Sequence, residues 1–126
     1  MYSSHVVAFA AFELLKKKLL NPDLFTLMRI SDEDREIDWH DFKMAVKRLI
    51  DELYTLNNKG LIKLSPILTT KELNEIIDLG ISNIGIYHTN LPIMRTKDGN
   101  ITSEDLKLLY YYHNRLLGYG LEKHIR

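Results

Sequence analysis

Leu106 to Leu121 reads LKLLYYYHNRLLGYGL, the densest block of aromatic and aliphatic side chains in the chain. Thr102 or Ser103 offers an N-cap before it, and Glu104 and Asp105 fall in the first turn, where carboxylates suit the positive end of a helix. Gly118 and Gly120 supply the stop. At helical spacing Leu106, Leu109, Tyr110, His113, Leu116 and Leu117 share one face, while Leu108, Tyr111, Tyr112 and Arg115 cover the rest. A helix apolar on nearly all sides is one that other elements wrap. The stretch therefore predicts a central C-terminal helix with the preceding chain packed around it.

Working outward, Ile101 and Thr102 run into this helix from Lys97-Asp98-Gly99-Asn100, a hairpin turn signal. Leu91 to Arg95 predicts a strand, an edge one because of Pro92, and Ile84 to His88 a weaker strand. Thr69 and Glu72 form a capping-box pattern ahead of a helix through Leu73, Ile76, Ile77 and Leu79 that stops at Gly80. Asp38 caps a long helix whose Trp39, Phe42, Val46, Leu49, Ile50, Leu53 and Leu56 recur on one side and which ends at Asn57, Asn58 and Gly60. Leu61 to Leu64 predicts a short strand closed by Pro66. Further back, Ser3 and Ser4 offer a cap for a helix from His5 to Leu20 that finishes on Lys16, Lys17 and Lys18. A short helix over Asp23–Met28 and an acidic loop over Ser31–Glu36 lie between it and the long helix.

The fold class is α+β and mostly helical: one domain over 1–126, in which a winged-helix-like part (1–66) precedes a helix, a small β-hairpin and the central helix (67–126). The winged-helix likeness rests on the order helix, short helix, long helix, then RLIDELYTLNNKGLIKL from Arg48, and it concerns fold alone.

Composition narrows the functional classes. Hydrophobic residues make up 45% of the 126 and charged residues 27%, as in soluble globular domains. Seventeen Lys and Arg balance 17 Asp and Glu, which argues against a nucleic-acid partner. Without cysteine there is neither a disulfide framework nor a thiolate zinc site. The longest apolar run, Val6 to Phe12, is far short of the roughly 20 residues of a spanning helix. No Lys or Arg precedes it, and it leads into lysines and not a cleavage site, so it does not read as a signal peptide. The lysine run beside leucines suits a solvated helix end, with contact to an anionic membrane surface as the alternative.

No catalytic, cofactor or metal residues are predicted. The five histidines, His5, His40, His88, His113 and His124, include no pair spaced by four, no G-x-S-x-G elbow occurs, and no phosphate loop is present. His113, on the apolar face, predicts a hydrogen-bonded core histidine, and His40 a surface one. Asp32, Glu33 and Asp34 read as a solvated loop. Arg115, one turn after Tyr111 and next to Asn114, can lie over an aromatic face.

Two segments carry a family resemblance. LLYYYHNRLLGYGLE (Leu108–Glu122) resembles the C-terminal region of bacterial glycerol-3-phosphate acyltransferases, where a tyrosine pair is followed shortly by an asparagine on a late helix; Tyr111, Tyr112 and Asn114 match. SHVVAFAAFELL (Ser4–Leu15) resembles the helix that follows that family's catalytic domain, and the long helix with its exit GLIKL (Gly60–Leu64) continues the likeness. The resemblance implies acyl transfer to the first hydroxyl of glycerol 3-phosphate, the entry to phospholipid synthesis, by a polypeptide whose catalytic motif is H-x-x-x-x-D. In this chain the position five after each of the first four histidines holds Ala10, Ala45, Ile93 or Gly118, and His124 is too near the end. The family's arginine motifs for glycerol phosphate are missing too. The resemblance therefore implies a noncatalytic C-terminal domain cut from a longer protein, cytoplasmic or peripheral on the inner face of the membrane. Its partner would be the catalytic domain of the same polypeptide, met through Tyr111, Asn114 and Arg115. A winged-helix regulatory or protein-interaction module is the alternative.

Overall fold

The structure is a computed structural model that describes residues 3–18, 36–60, 72–85, 91–116 and 121. The expected short helix at 23–28, the strand at 61–64 with Pro66, the acidic loop up to residue 35, Thr69, and the stop at Gly118 and Gly120 lie outside those residues. What is described is a mostly helical α+β fold. Its helices are α1 (Ser3–Lys18), α2 (Trp39–Asn58), α3 (Leu73–Gly85) and α4 (Leu106–His113), the last continuing as a 3-10 turn over Asn114–Leu116. Strands β1 (Met94–Arg95) and β2 (Ile101–Thr102) pair antiparallel between α3 and α4.

The centre is α1, not the C-terminal helix. Every residue from Val6 to Phe12 is at most 2% exposed, and α2, α3 and α4 all pack against this helix. A helix apolar all round needs cover on every side, and three neighbours provide it. The described part of the C-terminal block, 106–116, forms two α-turns and then a 3-10 turn, and it buries one face: Leu106, Leu109 and His113, then Leu116. Its cap differs as well. Asp105 is the N-cap, accepting from Leu108 N at 3.1 Å. Ser103 Oγ serves Asp105 N at 3.2 Å instead. At the other end of the chain Ser3 and Ser4 are already helical and do not cap α1.

α2 follows its pattern closely. Asp38 Oδ2 accepts from Asp41 N at 3.1 Å, and Phe42, Val46, Leu49, Ile50 and Leu53 are buried with Ala45. Trp39 and Leu56 are partly buried at the ends of the stripe, and Gly60 takes φ +75° after the helix.

α3 continues through Gly80 to Gly85, so Gly80 is no helix stop, and Ile84 and Gly85 are helical instead of opening a strand. Gly80 is where α3 touches α1: a Cβ there would stand 2.8 Å from Ser3 O and 2.9 Å from Val7 Cγ2. The missing side chain lets two backbones meet.

The hairpin forms where the turn signal stands. Thr96 N donates to Asn100 O at 2.8 Å and Gly99 N to Thr96 O at 3.0 Å, with Gly99 at φ +86°. Lys97, Asp98 and a left-handed Gly99 make a three-residue loop of the kind built on a type I turn. The strand expected over Leu91–Arg95 is confined to Met94 and Arg95. On the other side of β2, Ile37 exchanges both backbone hydrogen bonds with Ile101, at 2.6 and 2.9 Å. Asn100 ties the loop to the start of α2, its Nδ2 donating to Glu36 Oε1 at 2.9 Å and its Oδ1 accepting from Trp39 N at 3.1 Å.

Candidate functional site

α4 divides the sequence-predicted residues between two faces, because successive residues on a helix turn by 100° and Tyr110 and His113 cannot share a side with Tyr111 and Arg115. Inward, His113 is 1% exposed and its ring stacks on Phe9 at 4.9 Å and tilts against Phe12 at 4.6 Å. Its Nε2 lies 2.7 Å from Oε1 of Glu13, itself only 8% exposed. Its Nδ1 lies 3.0 Å from Asn114 Oδ1. Burial pushes the Glu13 carboxyl up, but the hydrogen bond and charge of His113, with Lys16 Nζ 3.6 Å away, outweigh it and hold the group below its ordinary value. Tyr110 is partly buried, 5.1 Å from Phe12 and 5.9 Å from His113 between ring centres.

Outward, Tyr111 is 55% exposed, the one exposed large hydrophobic side chain among the described residues. Arg115 lies across it: Nη2 donates to Tyr111 Oη at 2.9 Å and the guanidinium carbon is 5.3 Å from the ring centre. The i, i+4 spacing of a helix brings the two together. Tyr112 stands edge-on to Tyr111 at 5.7 Å. The structure thus joins Tyr111 to Arg115, as their spacing predicts. Asn114 is exposed beside them but its amide is turned to His113. Burial first, and the Arg115 charge second, lower the pKa of half-buried His5 on α1.

The residue that sequence reasoning missed is Glu13. Its signal was present: one acid inside the run Val6–Leu15, with helical spacing putting it on the side of Phe9 and Phe12. An acid in such a place needs a partner.

A separate cleft of about 630 Å³ opens between the end of α1 and the start of α2. Lys17, Lys18 and Arg48 line it together with Glu36, Asp38 and Asp41, over Leu14 and Met44. The charges are mixed, and Lys18 Nζ is already held by Glu36 O at 2.8 Å. His40, exposed in the first turn of α2, is at its edge. Among the described residues no group of three or more His, Asp or Glu is placed to hold a metal ion, and no helix is long and apolar enough to cross a membrane.

No protein-family model, curated protein or solved structure matches the chain.

Proposed function

We propose that the chain is the noncatalytic C-terminal domain of a glycerol-3-phosphate acyltransferase, a helical module on which the catalytic domain of the same polypeptide docks. The resemblance through Tyr111, Tyr112 and Asn114 supplies the family. The observation that carries a docking role is the division of α4: His113 is committed inward to Glu13, while Tyr111 and Arg115 are held against each other on the outside. An exposed tyrosine stiffened by an arginine is the kind of anchor that interfaces use. In this reading the neighbouring domain supplies the general base that takes the acceptor hydroxyl proton. The module stiffens that domain, in the cytoplasm at the inner face of the membrane. The test is an assay with glycerol 3-phosphate and an acyl thioester. The isolated chain gives no turnover; the parent polypeptide does, and loses it on deletion of this module. A parent reading frame without an upstream H-x-x-x-x-D removes the proposal.

The Ile37–Ile101 bridge favours a second reading. It adds a β segment to the hairpin, so that the order among the described residues becomes helix, β segment, helix, helix, hairpin, helix. A winged-helix interaction module has that order. The outer face of α3 bears Asn74, Glu75, Asp78, Ser82 and Asn83 without a basic residue, which suits a protein partner better than duplex DNA. Tight, salt-sensitive retardation of duplex DNA in a gel would move the chain to a nucleic-acid-binding class.

A further inference from the structure

Lys107, Tyr111 and Arg115 stand four residues apart along the outside of α4, and all three are exposed. Two cations therefore bracket the one exposed large hydrophobic side chain of the described residues. No acidic residue occurs between Leu106 and Leu116, and the ion pairs among described residues involve neither Lys107 nor Arg115. A guanidinium has five N–H donors in a planar fork. Tyr111 Oη takes one Nη2 bond and its ring fixes the plane. The positive field extends beyond α4, since the Arg115 charge disfavours a proton on His5 of α1. A surface of this kind, rigid, aromatic and cationic, is complementary to a carboxylate and not to an apolar or basic patch.

We infer that the Lys107–Tyr111–Arg115 flank of α4 is a docking surface for an acidic protein segment, with one carboxylate seated on the Arg115 fork beside the Tyr111 ring and Lys107 drawing in a second. The inference rests on the docking role proposed above and names the chemistry of the partner. Arg115 is the anchor because its geometry is set in advance, which lowers the ordering cost of binding. Lys107 steers, and its contribution is screened by salt.

Two probes test it. The first is the remainder of the parent polypeptide, expressed apart from this chain and titrated against it. The wild-type chain associates; Arg115→Glu weakens association by about tenfold or more and Arg115→Lys by less, and raising salt from about 50 to about 500 mM weakens the wild type most. Thermal melting of the isolated variants stays at the wild-type value. Association that ignores Arg115→Glu, Lys107→Glu and salt overturns the inference while the docking role stands. No association at all overturns the docking role. The second probe, a hexaglutamate peptide followed by NMR, then decides the inference alone. Bound carboxylates shift the Arg115 Nε–H and Tyr111 ring signals and raise the His5 pKa toward its ordinary value, because they offset the Arg115 charge. Silence at all three residues overturns it. Preferential, Arg115-dependent sedimentation with phosphatidylserine vesicles over the peptide also overturns it, in favour of a lipid surface.

Discussion

His113 Nε2 and Glu13 Oε1 are 2.7 Å apart although 100 residues separate them in the chain. Through this contact the helix that carries the exposed Tyr111–Arg115 pair is fastened to the helix at the centre of the fold. Leaving a buried carboxylate without its partner is expensive, whereas exchanging both members for apolar side chains need not be. His113→Ala is therefore expected to cost about 3 kcal/mol or more, and the double change Glu13→Leu with His113→Leu clearly less than that single one. Urea unfolding of the wild type, His113→Ala and the double variant checks this; a double variant at least as weak as His113→Ala would argue that packing, and not the Glu13–His113 contact, holds α4.

The same pair sets an acid limit on stability. Glu13 titrates in the native state below its ordinary value of 4.5, so the unfolded chain takes up its proton first as the pH falls. The stability contributed is thus fully present above pH 4.5 and is lost as the pH drops through the lower native value. His5, lowered from 6.5, acts in a separate window: neutral His is favoured in the fold, so stability falls as the pH drops below 6.5. Melting curves from about pH 8 to about pH 3 should show both steps. Glu13→Gln should remove the acid step alone. A step of unchanged size in that variant would assign it to other carboxylates.

Gly80 sets the approach of α3 to α1. A methyl group there would press on Ser3 O at 2.8 Å, and a backbone carbonyl cannot swing away as a flexible side chain can. Gly80→Ala is expected to cost about 1–3 kcal/mol, despite the better helix propensity of alanine. Gly60→Ala, with nothing within 4 Å but φ +75°, should cost only about 1 kcal/mol. Equilibrium unfolding that found Gly80→Ala stabilising would mean the two helices sit farther apart.

Asn100 bonds to Glu36 and to the backbone of Trp39 at once, closing the hairpin onto α2. Asn100→Ala leaves Trp39 N without its acceptor and Glu36 Oε1 with Thr96 Oγ1 alone, at 3.3 Å, and should cost about 1–2 kcal/mol, with faster amide exchange at Trp39 and Ile37. Unchanged exchange at those two amides would show that the Ile37–Ile101 bridge suffices.

How far the sequence carried the fold depends on the range of each interaction. α2 and the hairpin were legible because their signals are local: Asp38 to Asp41 for the cap, and Asp98-Gly99 for the loop. In sequence Gly80 reads as a stop, since glycine commonly ends helices, and the close approach of Ser3 leaves no mark near residue 80. The runs at 6–12 and 106–116 are both rich in apolar and aromatic residues, and hydrophobic content alone cannot rank them. The longer helix, 16 residues against 8, is the one three neighbours could cover. At the site, the Tyr111–Arg115 contact followed from i, i+4 spacing. Asn114 did not join it, because its amide found the buried ring of the preceding residue. Glu13 stands out as one acid in an apolar run, but its partner, 100 residues on, leaves no mark beside it.

The central claim is that α4 has a structural face and a contact face. It is tested most directly by comparing Tyr110→Ala with Arg115→Ala in two states: the melting of the isolated chain, and acyl transfer to glycerol 3-phosphate by the proposed parent acyltransferase. Tyr110, partly buried, packs on Phe12 and His113, so its truncation should cost the isolated chain about 1–3 kcal/mol. Arg115→Ala should leave the chain within about 0.5 kcal/mol of wild type and yet lower the activity of the parent. Loss of folding in the isolated Arg115→Ala chain with Tyr110→Ala harmless, or full activity in the parent bearing Arg115→Ala, would contradict the account.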